Sequence, residues 1–116
     1  MTAVLPTYNG WPNYPTWNVV LWMDNDEGSY SYARELARRA IEDNTEIEYA
    51  EIEGEDDTHT LDRDGAIADL AEALKDWHEE AMPDLAGFAA DIFGWAMAYV
   101  DWRHIAEHRI DDEAGS

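Results

Sequence analysis

Cysteine is absent from the 116 residues, which excludes disulfides and thiolate metal sites and fits a reducing, cytoplasmic setting. Lysine is almost absent too. Lys75 stands beside six arginines, against 14 aspartates and 13 glutamates, and the formal net charge is −20. A surface this short of cations cannot neutralise phosphates, so direct nucleic-acid binding is not expected, and neither is an anionic membrane surface. Long apolar runs are missing as well: the most apolar stretch, Leu85 to Val100, is too short to span a bilayer comfortably and carries Asp91. No basic start precedes an apolar segment, so no signal peptide is expected. There is no glycine-rich phosphate loop, no Ser/His/Asp set with a nucleophile elbow and no paired-carboxylate pocket, so the chain reads as a non-enzyme without cofactor or metal.

What is present is aromatic. The stretch Tyr8–Gly28 holds Trp11, Trp17 and Trp22, three of six tryptophans, and is free of charge until Asp24. Gly10 and Pro12 mark a turn, Asn13 can cap a helix, and Pro15 suits a first turn whose N–H groups lack partners. A helix from about Tyr14 to Asn25 follows. Tyr14, Trp17, Val20 and Leu21 form its expected inward side, and Trp22 lies beside Asn18 and Asn25 on another.

The run Asn13, Tyr14, Pro15, Thr16, Trp17, Asn18, Val19, with Leu21, Trp22, Asn25 and Asp26 behind it, resembles the signature of a small domain of unknown function found in phage, plasmid and prophage genomes. Trp102, Ile105, Ala106, Glu107 and His108 resemble that family's C-terminal end. Pro15 stands where the family is expected to carry a polar residue, often Glu. The resemblance implies one complete domain and brings no activity or catalytic residue with it.

Further along, Asp24–Gly28 reads as a polar turn, and Ser29 or Ser31 as the cap of a second helix with Ala33, Leu36, Ala37, Ala40 and Ile41 inward. Arg34, Arg38 and Arg39 on this helix read as partners for acidic neighbours. Residues 42–64 hold eleven acidic residues and one base, Arg63. Partial alternation around Glu46–Glu53 suggests a strand or hairpin arm at 45–60, and the shortage of apolar groups suggests a mobile connection; both readings stand. Asp62 or Asp64 caps a third helix to about Glu80, with Ile67, Leu70, Ala71, Leu74, Trp77 and Ala81 in step. Pro83 suits the start of a fourth helix, where Leu85, Phe88, Ala89, Ile92, Trp95, Ala96 and Tyr99 form a stripe that places this helix at the centre of the fold. Gly87 and Gly94 would admit a close backbone neighbour. Asp101 caps a last helix with Trp102, Ile105, Ala106 and Ile110 inward, and 111–116 reads as a frayed tail. The expectation is all-α: one compact bundle of four to five helices over 1–116, with a short strand or hairpin in the acidic segment.

Two metal-like strings fail on context. His104, Ile105, Ala106, Glu107, His108 match the inverted zincin pattern, but eight residues remain after His108, too few for the third ligand. Asp24, Asp26, Gly28 and Glu35 match calcium-loop positions, yet the obligatory glycine is Ser29, and helix capping by Asp26 and dipole compensation by Glu27 explain them better. Trp17, Trp77, Trp95 and Trp102 are expected in the core.

Two partner surfaces remain. One is Trp11, Asn18, Trp22 and Asn25, with Trp22 as anchor. The other is the acidic band Glu51, Glu53, Glu55 and Asp56. Duplex DNA carries one charge per about 1.7 Å, so −20 is the charge of roughly ten base pairs, a length comparable with a domain of this size. The expected function is therefore an accessory protein of a virus or mobile element that binds a host protein by imitating DNA, with a DNA-binding defence enzyme as target. Its rival is a helical interaction module whose acidity is salt adaptation, as lysine scarcity in a haloarchaeal chain would be.

Overall fold

The computed structural model describes residues 7–81 and 86–115. Five helices and one hairpin follow in the order α1 (Tyr14–Asn25), α2 (Glu27–Asp43), β1 (Thr45–Glu48), β2 (Thr58–Leu61), α3 (Arg63–Glu80), α4 (Gly87–Ala98) and α5 (Trp102–Ala114). The fold is mainly helical, as the periodicities require.

Most helix starts follow from a side chain that accepts an otherwise unpaired N–H. Asn13 accepts from the Thr16 N–H, Asp62 from Gly65 and Asp101 from His104. Asp26 ends α1 and caps α2 by itself, so the turn expected over Asp24–Gly28 shrinks to one residue. Its carboxylate accepts from the Ser29 hydroxyl at 2.7 Å and the Ser29 N–H at 3.0 Å, which holds it below the usual carboxylate range. Gly65 is dictated by space: a Cβ there would lie 2.6 Å from Asp62 Oδ2 and would also collide with the Asn44 side chain.

The core lies among α1, α2, α3 and α5. Ala33, Ala37 and Ala40 give α2 a flat face on which α3 seats Ile67, Leu70 and Leu74, and α5 closes it with Trp102, Ile105, Ala106 and Ile110. Small residues opposite large ones let the helices approach and interdigitate at interior density. On α1 the buried residues are Thr16, Val20 and Met23, while Tyr14 and Leu21 are exposed. The inward face is thus rotated from the expected one, because the polar pair Asn13–Thr16 must reach the chain at 99–101. Trp17 is half-buried outside the core, stacked on Tyr8 and Tyr14 at 4.6 and 5.6 Å.

The hairpin pairs antiparallel, from Thr45 opposite Leu61 to Glu48 opposite Thr58. Leu61 packs on the core; the rest of the arm leaves the bundle. Ile52 and Glu53 fall in the turn, where Gly54 takes φ +94°. The C-terminus also differs from expectation. Residues 111–114 continue α5, because Asp111 accepts from Arg63 Nε and Nη2 at 2.8 and 2.9 Å and Glu113 accepts from Arg34 Nε at 2.6 Å.

The largest departure is α4. Expected at the centre, it buries no residue, and Phe88, Ile92 and Trp95 are 82%, 51% and 52% exposed. Helices α2, α3 and α5 already fill one another's apolar faces, which leaves α4 only the side of α1 that carries Val19 and Trp22. Only its C-terminal end touches the bundle, through Met97 and the following Val100. Gly87 and Gly94 have open space around them rather than a neighbouring backbone. Pro83, Asp84 and Leu85 lie outside the described residues. The radius of gyration is 17.6 Å, against about 13 Å for a compact chain of this length.

Candidate partner-binding surfaces

A groove of about 240 Å³ runs between α1 and α4, lined by Asn18, Val19 and Trp22 on one wall and Phe93, Ala96 and Met97 on the other. Pro15, His78 and Val100 complete it, so no carboxylate, lysine or arginine lines the groove. Trp22 stands at its edge, 69% exposed. His78 stacks between Trp77 and Trp102 at 4.5 and 5.1 Å, with Nδ1 2.8 Å from the Leu74 carbonyl oxygen. Burial pushes its pKa down from 6.5, which keeps the imidazole neutral at the groove floor.

The second surface is the hairpin. Glu46, Glu48, Glu51, Glu53, Glu55 and Asp56 are all exposed, and no lysine or arginine occurs from Thr45 to Asp62. Asp57 accepts from the Ala50 N–H at 2.7 Å across the hairpin and so fixes the loop. Six of the seven lysines and arginines pair elsewhere with carboxylates, Arg38 being the exception among the described residues. The hairpin charge is therefore unneutralised and carried on a projecting arm.

The fold separates the residues grouped from sequence. Asn18 and Trp22 share the groove, but Asn25 donates to the Leu21 carbonyl at 2.8 Å on its own helix. Trp11 lies against α5, its ring 5.4 Å from His104 and 4.7 Å from His108. That stacking accounts for both histidines, and Glu107 pairs with Arg103 at 3.5 Å. Asp24 pairs with Arg109 and Glu35 with Arg39, so the calcium-like string is dispersed among structural tasks. Among the described residues no three His, Asp or Glu side chains cluster as a metal site, and no helix is long and apolar enough to cross a membrane. Glu51, Glu55 and Asp56 sit together on the hairpin loop, with Glu53 at its tip.

Three features escaped the sequence reading. Arg109 is buried, ion-paired to Asp24 and 5.9 Å above the Tyr30 ring; its place four residues after Ile105, on the inward stripe, was the available signal. His78 follows Leu74 by four residues in the same way. The third is a tether. Asn13 Nδ2 donates to the Tyr99 carbonyl at 2.7 Å, the Thr16 hydroxyl donates to Asn13 Oδ1 at 2.8 Å, and the Asp101 N–H donates to the Thr16 hydroxyl at 2.9 Å. The most distinctive part of the Asn13–Val19 run is thus a clamp on the α4–α5 turn, and chemistry is not needed to explain it.

Residues 4–58 match the model of a family of unknown function, DUF7249. The match contains the Asn13–Val19 block, α1, α2 and β1, and leaves the Trp102–His108 block outside it. No curated protein and no solved structure matches the chain.

Proposed function

We propose that the chain is a non-enzymatic accessory protein of a virus or mobile element that binds a host protein, imitating DNA to occupy the basic groove of a DNA-binding defence enzyme. The observation that carries this reading is the hairpin: a projecting arm of exposed carboxylates with no lysine or arginine among them. Alternation along β1 puts Glu46 and Glu48 on one face about 6.7 Å apart, and the loop continues the charge through Glu51, Glu53, Glu55 and Asp56. Such a field steers a basic groove toward it and rejects other polyanions. Lysine scarcity and the surplus of carboxylates support a salt-loving source and a cytoplasmic setting.

The test is a pull-down from the host at its native ionic strength, followed by affinity measurements on the retained protein. Reversal of Glu51, Glu53, Glu55 and Asp56 to lysine should abolish binding with helix content unchanged, and duplex DNA should compete with the wild type. Equal affinities of wild type and variant overturn the reading. A second reading, in which acidity is salt adaptation alone and the apolar surface is the working one, is favoured by exposed Trp22 beside its groove.

A further inference from the structure

We propose that α4 and the groove beside it form the interface of a homodimer, each copy seating its Phe88–Ile92–Trp95 stripe against the groove of the other. This is independent of the role given to the hairpin. One turn of helix separates members of the stripe, so Phe88, Ile92 and Trp95 fall in one row, and Trp95 is braced by Tyr99 at 4.9 Å. The groove wall is a different row of the same helix, Phe93, Ala96 and Met97. One patch therefore carries both a projection and a recess, which is what a two-fold, self-complementary interface requires.

Size and area agree with that occupant. A cavity of about 150 Å³ accepts a benzene ring, so a groove of about 240 Å³ suits an aromatic side chain of the kind α4 presents. At about 200 Å² per aromatic side chain, the exposed parts of Trp22, Phe88, Phe93 and Trp95 amount to on the order of 500 Å². With Ile92 and a polar rim this approaches the roughly 800 Å² per partner of a standard interface.

Charge selects a second copy over a partner recognised electrostatically. Asp91 is the one charged residue of α4, and the groove lining contains none of Asp, Glu, Lys or Arg. A basic partner would gain nothing here. Two chains of −20 each, by contrast, can approach closely only where charge is scarce, and this is such a face. Orientation is fixed in advance, because the clamp from Asn13 to the Tyr99 carbonyl holds the C-terminal end of α4.

Sedimentation equilibrium of the full chain at 0.1, 1 and 2 M KCl tests the proposal. The expected result is a species of twice 13.3 kDa at tens of micromolar in 1 M KCl. Its dissociation constant should rise at least tenfold at 0.1 M, where the Debye length lengthens from about 3 to about 10 Å and repulsion between copies returns. Phe88→Glu should weaken the dimer at least a hundredfold with an unchanged circular dichroism spectrum, since Phe88 is nearly free in the single chain; Trp95→Glu should do the same. A 13.3 kDa monomer at every salt concentration overturns the proposal. So does wild-type dimerisation by both variants, an open-ended assembly, or a monomer that uses this face for a different protein.

Discussion

Helices α3 and α4 invert the usual relation between composition and burial. In α3, charged residues occupy eight of 18 positions, yet Ala66, Ile67, Leu70 and Leu74 are wholly buried. In α4 one of 12 residues is charged, and none is buried. Apolar content alone does not place a helix inside. The four buried residues of α3 make a narrow stripe that meets matching stripes on α2 and α5, whereas the apolar side chains of α4 spread around most of its circumference and meet a bundle already closed. A helix joins a core when its partners lack a face, and α4 meets only the open side of α1 along the groove.

Substitution can break this contrast. The largest effect is expected for Leu70→Ala, about 2–5 kcal/mol in urea unfolding, the range for a large-to-small change in a packed core. Phe88→Ala should cost less than about 0.5 kcal/mol, measured at a protein concentration low enough to hold the monomer. A loss above about 1 kcal/mol for Phe88→Ala would show that α4 belongs to the core after all. Thr16→Val comes next, at about 1–3 kcal/mol, because it removes the acceptor of the part-buried Asp101 N–H and the donor to Asn13; amide exchange at 99–101 should quicken with it.

His78 yields a smaller effect with a defined sign. Its folded pKa lies below 6.5, so the unfolded chain binds the proton first as pH falls. Its contribution is complete above about pH 6.5 and is lost as pH falls from there through the lowered folded value. Thermal melts of wild type and His78→Gln should therefore converge as pH drops below about 6.5, and their difference cancels the carboxylates common to both. The smallest change belongs to the outward side of α3. Lys75→Gln loses only the exposed pair to Glu79 at 3.9 Å and should lie within about 0.5 kcal/mol of wild type.

Local rules were legible wherever a single helix decides the outcome. Asn13, Asp62 and Asp101 cap as spacing predicts, and Ile67, Leu70 and Leu74 of the α3 stripe are buried as read, while Ala81 is exposed past the helix end and the buried Ala66 was not read. What spacing cannot convey is which faces are already satisfied. Trp95 and Trp102 occupy equally regular apolar positions, and one is half exposed while the other is buried, because α5 faces α3 and α4 faces no complete partner. The rotation of α1 had the same origin: Thr16 outranks Trp17 for the interior through hydrogen bonds to residues more than 80 positions away. The surface grouping of Trp11 with Trp22 dissolved for a related reason, since residues 11 apart on a turn and a helix share no face unless the turn directs them there.

The clamp between Asn13, Thr16 and the 99–101 turn also dates the maturation of the chain. A ribosome adding about 5–20 residues per second needs roughly 4–17 s to travel from Asn13 to Tyr99. Throughout that interval Asn13 Nδ2 has no Tyr99 carbonyl to bond and the Thr16 hydroxyl has no Asp101 N–H to receive. Helices α1 and α2 thus leave the exit tunnel as an unfinished pair, and Asn13 and Thr16 wait for residues 99–101 before they can be enclosed.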